Sequence, residues 1–277
     1  MAIKNEKLKE LRTRAALKLV DSFYVGISET YRRVPLAKPS LYGLHIEKDI
    51  PYLSSSRVEH RLDIVRPKNA HGPLPVLFYI HGGGFRLLSK ETHILFAMMF
   101  AKQGFLVVNI NYRLAPTHPF PAAIEDTCAA YQWTVKNITQ YGGDTERILV
   151  SGESAGGNLA TSLAIATCKK CPEVYAKEVF DLGVVPKGVI PACGYLEVSR
   201  SERFHCGGLR GEITEGVMRI LEKNYLPQPH LAGPLSDPLP FLEESTSTER
   251  PLPPFFIPVG GADSLAPDTI RLGVALR

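Results

Sequence analysis

Gly152-Glu153-Ser154-Ala155-Gly156-Gly157 follows the apolar run Arg147-Ile148-Leu149-Val150-Ser151 and precedes Asn158-Leu159-Ala160-Thr161-Ser162-Leu163-Ala164-Ile165-Ala166. The run reads as a short buried strand, and the Ala- and Leu-rich segment after it as a helix. Strand, G-x-S-x-G, helix is the setting of a nucleophile elbow. Gly152 and Gly156 let the backbone turn sharply, so the residue between them can hold a strained conformation. Ser154 then projects at the carboxyl end of the sheet. The helix that starts there aims its free N–H groups and positive dipole end at any developing oxyanion. The pattern alone is short, and a glycine-rich turn without chemistry is its alternative.

A second motif lies upstream. Val76-Leu77-Phe78-Tyr79-Ile80 is continuously apolar, as a strand covered on both faces should be, and runs into His81-Gly82-Gly83-Gly84-Phe85. Three glycines in a row carry a large entropic cost and make sense where backbone N–H groups must approach a ligand closely. A phosphate cradle would want G-K-[ST] or G-x-G-x-x-G, and neither frame is present. With Ser154 in the same chain, the better account is an oxyanion hole, with Gly83 and Gly84 giving two donors and Ala155 the third.

The rest of the chain alternates strand and helix patterns. Residues from about Asn5 to Val25 predict a basic amphipathic helix with Leu8, Leu11, Ala15, Leu19 and Phe23 on one face, expected to pack on the protein itself rather than on a membrane. The segment through Tyr52 reads as irregular. Val58 to Val65 alternates as a half-buried strand. A helix over Thr92–Lys102, with Phe96, Met99 and Phe100 inward, leads to a strand at Phe105–Asn109 and a helix at Ala122–Asn137. Gly188–Ile190 is a further strand. The polar stretch from Glu197 to about Leu235, with a helix near Ile213–Asn224, reads as an excursion from the sheet. Pro254–Val259 is expected to return as a strand, and Pro267–Arg277 to begin another helix. The whole predicts one α/β domain over residues 1–277: a mostly parallel central sheet with helices on both faces.

Composition narrows the class. The 277 residues are 44% hydrophobic and 22% charged, as in an ordinary globular protein. The net charge of +4 is dispersed, so nothing argues for nucleic acid. Five cysteines, Cys128, Cys168, Cys171, Cys193 and Cys206, suggest no disulfide framework and favour a reducing, cytoplasmic setting. Cys168-Lys169-Lys170-Cys171 falls where a helix should end and has no second ligand pair, which speaks against zinc. Asn137-Ile138-Thr139 is a glycosylation sequon that matters only in a secreted protein. No apolar stretch approaches the roughly 18 residues of a membrane span, and the N-terminus lacks a signal-peptide core.

With His81–Phe85, Asn111-Tyr112-Arg113-Leu114-Ala115-Pro116, His118-Pro119-Phe120-Pro121-Ala122-Ala123 and Gly152–Asn158 in order, the chain from about Val58 onward resembles the hormone-sensitive-lipase group of α/β-hydrolases, the H-G-G-G esterases. The resemblance implies a carboxylic-ester hydrolase acting on a small-molecule ester of short to medium chain length, with no metal or organic cofactor. It also implies a small helical cap built from approximately residues 1–45 and 197–235. Whether the chain forms a homo-oligomer is not legible.

The implied triad is Ser154 as nucleophile, then an acid, then a histidine. Asp263 sits just past the apolar run 254–259, and Ser264-Leu265-Ala266-Pro267-Asp268 keeps most of the pattern that follows the family's acid. A helix-capping role for Asp263 is compatible with this, and Asp268 is the fallback. The eight histidines, His45, His60, His71, His81, His93, His118, His205 and His230, all precede Asp263. The base should follow one more helix and strand. The expectation is a chain cut short before its last strand, histidine and closing helix, with His205 and His230 as the remaining candidates in the excursion. Two further readings stay open: a ligand-binding member of the fold without turnover, as in the gibberellin receptors that resemble this family, and another acyl-transfer enzyme such as an amidase, thioesterase or acyltransferase.

Overall fold

In the computed structural model, residues 2–33, 38–205, 207–244 and 247–277 are described. Six strands form one sheet: β1 (Leu44–Pro51), β2 (Arg61–Pro67), β3 (Leu74–Ile80), β4 (Leu106–Ile110), β5 (Gly143–Glu153) and β6 (Gly188–Ala192), in the order β1-β2-β4-β3-β5-β6. The pairs β1·β2 and β2·β4 are antiparallel, and β4·β3, β3·β5 and β5·β6 parallel. The parallel half is buried on both faces, with Val76, Phe78, Val108, Ile148 and Val150 on one and Leu77, Tyr79 and Val107 on the other, as helices on both sides require.

The helices are α1 (Ala2–Arg33), α2 (Ile94–Lys102), α3 (Ala122–Asn137), α4 (Ala155–Cys168), α5 (Val174–Asp181), α6 (Gly208–Tyr225), α7 (Pro238–Glu244) and α8 (Ala266–Ala275). Every residue of α4 is buried, so this helix is the inner post on which the sheet turns. Its last residue is Cys168, and Cys168 and Cys171 are both buried free thiols, so the C-x-x-C spacing marks a helix end. Among the described residues no group of three or more His, Cys, Asp or Glu side chains could hold a metal ion, and no helix is long and apolar enough to cross a membrane.

Four expectations are corrected. The segment before Tyr52 is not wholly irregular, because β1 adds an antiparallel edge strand at residues 44–51. Only Phe100 of the three residues expected inward on α2 packs against the core; Phe96 and Met99 are exposed, and Ala97, Met98 and Ala101 face the sheet. The helix turns the stripe of positions 97, 98 and 101 toward β4 and β2, which leaves 96 and 99 outside. On α1 the apolar stripe faces outward: Leu11, Leu19 and Phe23 are exposed, whereas Thr13 is buried against Gly216 of α6. Leu8 lies outside the described side chains. Finally, residues 254–259 do not form a ladder. They make a single parallel bridge, Val189 to Phe255, with Val189 N donating to Pro254 O and Phe256 N to Val189 O. Pro253, Pro254 and Pro258 have no N–H to donate, which limits the segment to isolated bonds.

Candidate active site

The register of the parallel strands brings the two glycine-rich motifs together. Tyr79 pairs with Ser151 and Ile80 with Gly152, so β3 and β5 run out of the sheet side by side and release their loops into the same space. Ser154 follows β5 with φ 53° and ψ −114°, a region that non-glycine residues rarely occupy. It is held there by main-chain bonds: its N–H donates to Ala192 O at 3.0 Å, and its carbonyl accepts from Tyr195 N and Asn158 N at 3.1 Å each. The turn is so tight that a Cβ at Gly156 would lie 2.2 Å from Ile80 O, and one at Gly152 would lie 2.5 Å from the Gly156 backbone. Only glycine fits either place.

The loop 81–85 presents its backbone beside this turn. Gly83 has φ 110° and Gly84 φ 60°, and a Cβ at Gly83 would lie 2.0 Å from Leu87 O. Among the described residues nothing accepts from the N–H groups of Gly83, Gly84 or Ala155, the first residue of α4. The Gly82 N–H, by contrast, is committed to the Glu153 carboxylate. Three free donors therefore sit in the loop and at the helix start, as an oxyanion hole requires. Phe85 turns inward and stacks on Tyr225 at the end of α6, with ring centroids 3.6 Å apart. Leu221 of the same helix closes over Gly84.

Beneath the loop lies a polar cluster. The Glu153 carboxylate accepts from Tyr79 Oη and is paired with His93 Nε2, each at 2.8 Å. Burial would raise this carboxyl, but His93, Tyr79 and the Gly82 N–H outweigh it and hold it below the usual range. His93 is lowered by burial and raised more strongly by Glu153, so it ends above the ordinary histidine value. His81 stacks on Tyr112 at 4.2 Å; burial, and next the neighbouring His93, push it down to about 4.

Asp263 lies in the turn before α8, where its Oδ1 accepts from Leu265 N at 2.8 Å. This turn bond occupies one carboxylate oxygen and leaves acceptor capacity on the group, so it is compatible with a role in chemistry. Cys193 ties this turn to Ser154. Its thiol contacts the Ser154 backbone and the Asp263 carboxylate, and is raised by burial and then by that charge. The other acids are engaged elsewhere. Asp268 is fully buried and bonded to Arg203 and to Leu196 N, Asp126 is bound by Arg113, and Asp237 accepts from Val198 N and Ser199 N.

No histidine among the described residues hydrogen-bonds Ser154 or Asp263. His60 is hydrogen-bonded to Ser55 and turns its Nε2 toward Asp126 at 3.4 Å, His118 contacts Arg57, and His45, His71 and His230 are exposed. His205 pairs with Glu215 at 2.6 Å on the rim of a cavity of about 1350 Å³ between α1 and α6. Neither Ser154 nor Asp263 lines that cavity, whose walls are densely charged. The Glu153–His93 cluster and Cys193 were not singled out from the sequence. Only the G-x-S-x-G position of Glu153 hinted at the first, and nothing local marked the second.

The chain belongs to the family described as the alpha/beta hydrolase fold, whose model matches residues 77–277. It is similar to carboxylesterase NlhH of Mycobacterium tuberculosis, at 47% identity over 92 residues, covering 33% of this chain and 29% of that one. Esterase LipI of the same organism is 32% identical over 206 residues, covering 73% and 59%. Among solved structures, an esterase of Pyrobaculum calidifontis superposes with a TM-score of 0.71 at 27% identity, covering 97% of this chain and 83% of that one. The chain spans less than two thirds of the length of these curated relatives.

Proposed function

We propose that this chain carries the nucleophile, acid and oxyanion hole of a carboxylic-ester hydrolase for short- to medium-chain esters. Ser154 Oγ attacks the ester carbonyl carbon, and its proton passes to a histidine and then to the departing alcohol. The oxyanion is held by the N–H groups of Gly83, Gly84 and Ala155. Water then attacks the acyl-enzyme by the same route and releases the acid. Asp263 orients the histidine. None of the eight histidines within residues 1–277 is hydrogen-bonded to Ser154 or Asp263, so the base is a histidine beyond this arrangement of the described residues. α1 and the region 197–235 act as the cap, although residues 44–45 belong to β1. The single observation that carries the reading is Ser154 held at φ 53° beside three uncommitted backbone donors. The esterase relatives support it.

Hydrolysis of a short-chain p-nitrophenyl ester tests it, with this 277-residue chain and with the gene product carried to its natural stop codon, each beside Ser154→Ala. Turnover by the longer protein alone, lost in Ser154→Ala, supports the reading. Turnover by the 277-residue chain would bring the base back within it, with His205 and His230 the first to mutate. The same positions of the histidines favour a second reading, ligand binding without hydrolysis. Tight binding of a small carboxylate by a gene product that hydrolyses no ester would establish that instead.

A further inference from the structure

The residue preceding the nucleophile makes three bonds that the acyl-transfer scheme does not use. Glu153 Oε1 accepts from Gly82 N and from His93 Nε2, while Oε2 accepts from Tyr79 Oη at 2.8 Å. These partners come from the end of β3, the loop after it and the turn before α2. The side chain therefore stitches the elbow to the glycine loop at their closest approach. The fit leaves no slack, since a Cβ on Gly82 would lie 2.7 Å from both Glu153 O and Oε1. Tyr79 is buried and His93 nearly so, so the carboxylate is held by groups that are themselves fixed: the His93 ring lies 5.7 Å from those of His81 and Phe96.

Gly83 and Gly84 are the next two residues along. They sit at positive φ, and without a Cβ they have other conformations open to them, so the direction of their amides depends on how the chain entering the loop is fixed. The downstream side is fixed by Arg86 N and Leu87 N, which both donate to Gly83 O at 3.1 Å. On the upstream side, Glu153 is the acceptor of the Gly82 N–H among the described residues, while the Gly82 carbonyl accepts from His81 Nδ1 at 2.7 Å and the His81 carbonyl from Tyr112 Oη at 2.7 Å.

We propose that Glu153 is the positioning residue of the oxyanion hole: seated by His93 and Tyr79, it fixes the Gly82 amide and thereby aims the Gly83 and Gly84 N–H groups at the carbonyl oxygen that Ser154 attacks. This rests on the esterase reading. It is distinct from that reading because Glu153 touches neither substrate nor the transferred proton. Its reach matters more than its charge. A glutamine keeps an oxygen for Gly82 and an amide that can donate to Tyr79 Oη. An aspartate keeps the charge and falls one methylene short.

The test compares Glu153→Asp and Glu153→Gln in the gene product carried to its natural stop codon, with a p-nitrophenyl ester. A misplacement of about 1 Å in such a site costs up to the order of 100-fold. The expected result is a kcat lowered about 10- to 100-fold in Glu153→Asp with KM within about threefold, and most of that loss restored in Glu153→Gln. Hydrogen exchange at the Gly82 amide gives a readout independent of turnover: about tenfold faster in Glu153→Asp, near wild type in Glu153→Gln. If Glu153→Asp does not fold, Tyr79→Phe takes its place, with kcat lowered several-fold at constant KM and faster Gly82 exchange. Unchanged kcat and exchange in the folded aspartate or phenylalanine variant overturns the proposal, as does an equal loss in Asp and Gln or a loss confined to KM. A wild-type protein without esterase activity sinks the esterase reading, while the exchange data still judge whether Glu153 fixes the loop.

Discussion

One nitrogen of Arg86 donates to both carboxylate oxygens of Asp21 at 2.7 Å, tying α1 to the chain two residues beyond Gly84. Both side chains are about a quarter exposed, so the pair adds at most about 1 kcal/mol to stability. Its consequence is placement. The apolar stripe of α1 faces outward, and α1 meets α6 through Thr13, buried against Gly216, and through the Lys9–Glu212 ion pair at 3.2 Å.

Asp21→Asn is therefore expected to leave Tm within about 4 °C of wild type, while limited proteolysis within residues 1–33 quickens several-fold and KM for the p-nitrophenyl ester changes more than kcat. Unchanged proteolysis would show that α1 is held by its other contacts.

The Ser154 backbone stores strain of the order of 1–3 kcal/mol. Ser154→Gly relieves it, so thermal unfolding should shift upward by a few degrees as activity disappears. Ser154→Ala, which keeps a Cβ, should abolish activity without that gain. Equal Tm values for the two variants would mean that the elbow stores no strain.

His81 titrates near 4 in the folded chain, below the ordinary 6.5, chiefly because it is buried. Between those values the unfolded chain holds a proton that the folded chain lacks. Stability contributed by His81 thus rises with pH across this window and is withdrawn on acidification, by up to about 1.36 kcal/mol per pH unit. In urea unfolding, the advantage of wild type over His81→Asn should shrink by about 2 kcal/mol between pH 6.5 and 4.5. A difference that is flat with pH contradicts it. His93, raised by Glu153, acts with the opposite sign and loses its contribution above pH 6.5, but it is common to both proteins.

Cys193 reports on Asp263. Burial raises its thiol, and the adjacent carboxylate raises it further. In a Cys206→Ser background, Asp263→Asn should speed alkylation of Cys193 at pH 8 by about threefold. The remaining cysteines, Cys128, Cys168 and Cys171, are buried and react slowly. A rate unchanged by the substitution would remove Asp263 from the neighbourhood of Ser154.

Sequence alone determined what depends on neighbours along the chain. The apolar runs 76–80 and 147–151, the glycines flanking Ser154, and the helix at Ala122–Asn137 follow from local periodicity and turn chemistry, and the structure forms them. Tertiary structure decided what depends on residues far apart. The inward face of α1 was set by Gly216, some 200 residues away, not by the helix's own apolar stripe. The prolines of 253–258, which limit the segment to isolated bonds, show in the sequence, but its partner, β6, does not. The link from Glu153 to Gly82 exists because the parallel strands β3 and β5 release their loops at the same end of the sheet, and Cys193 meets Asp263 because the segment 254–259 lies along β6. No local pattern encodes that juxtaposition, since the register that creates it is fixed by burial of the whole sheet at once.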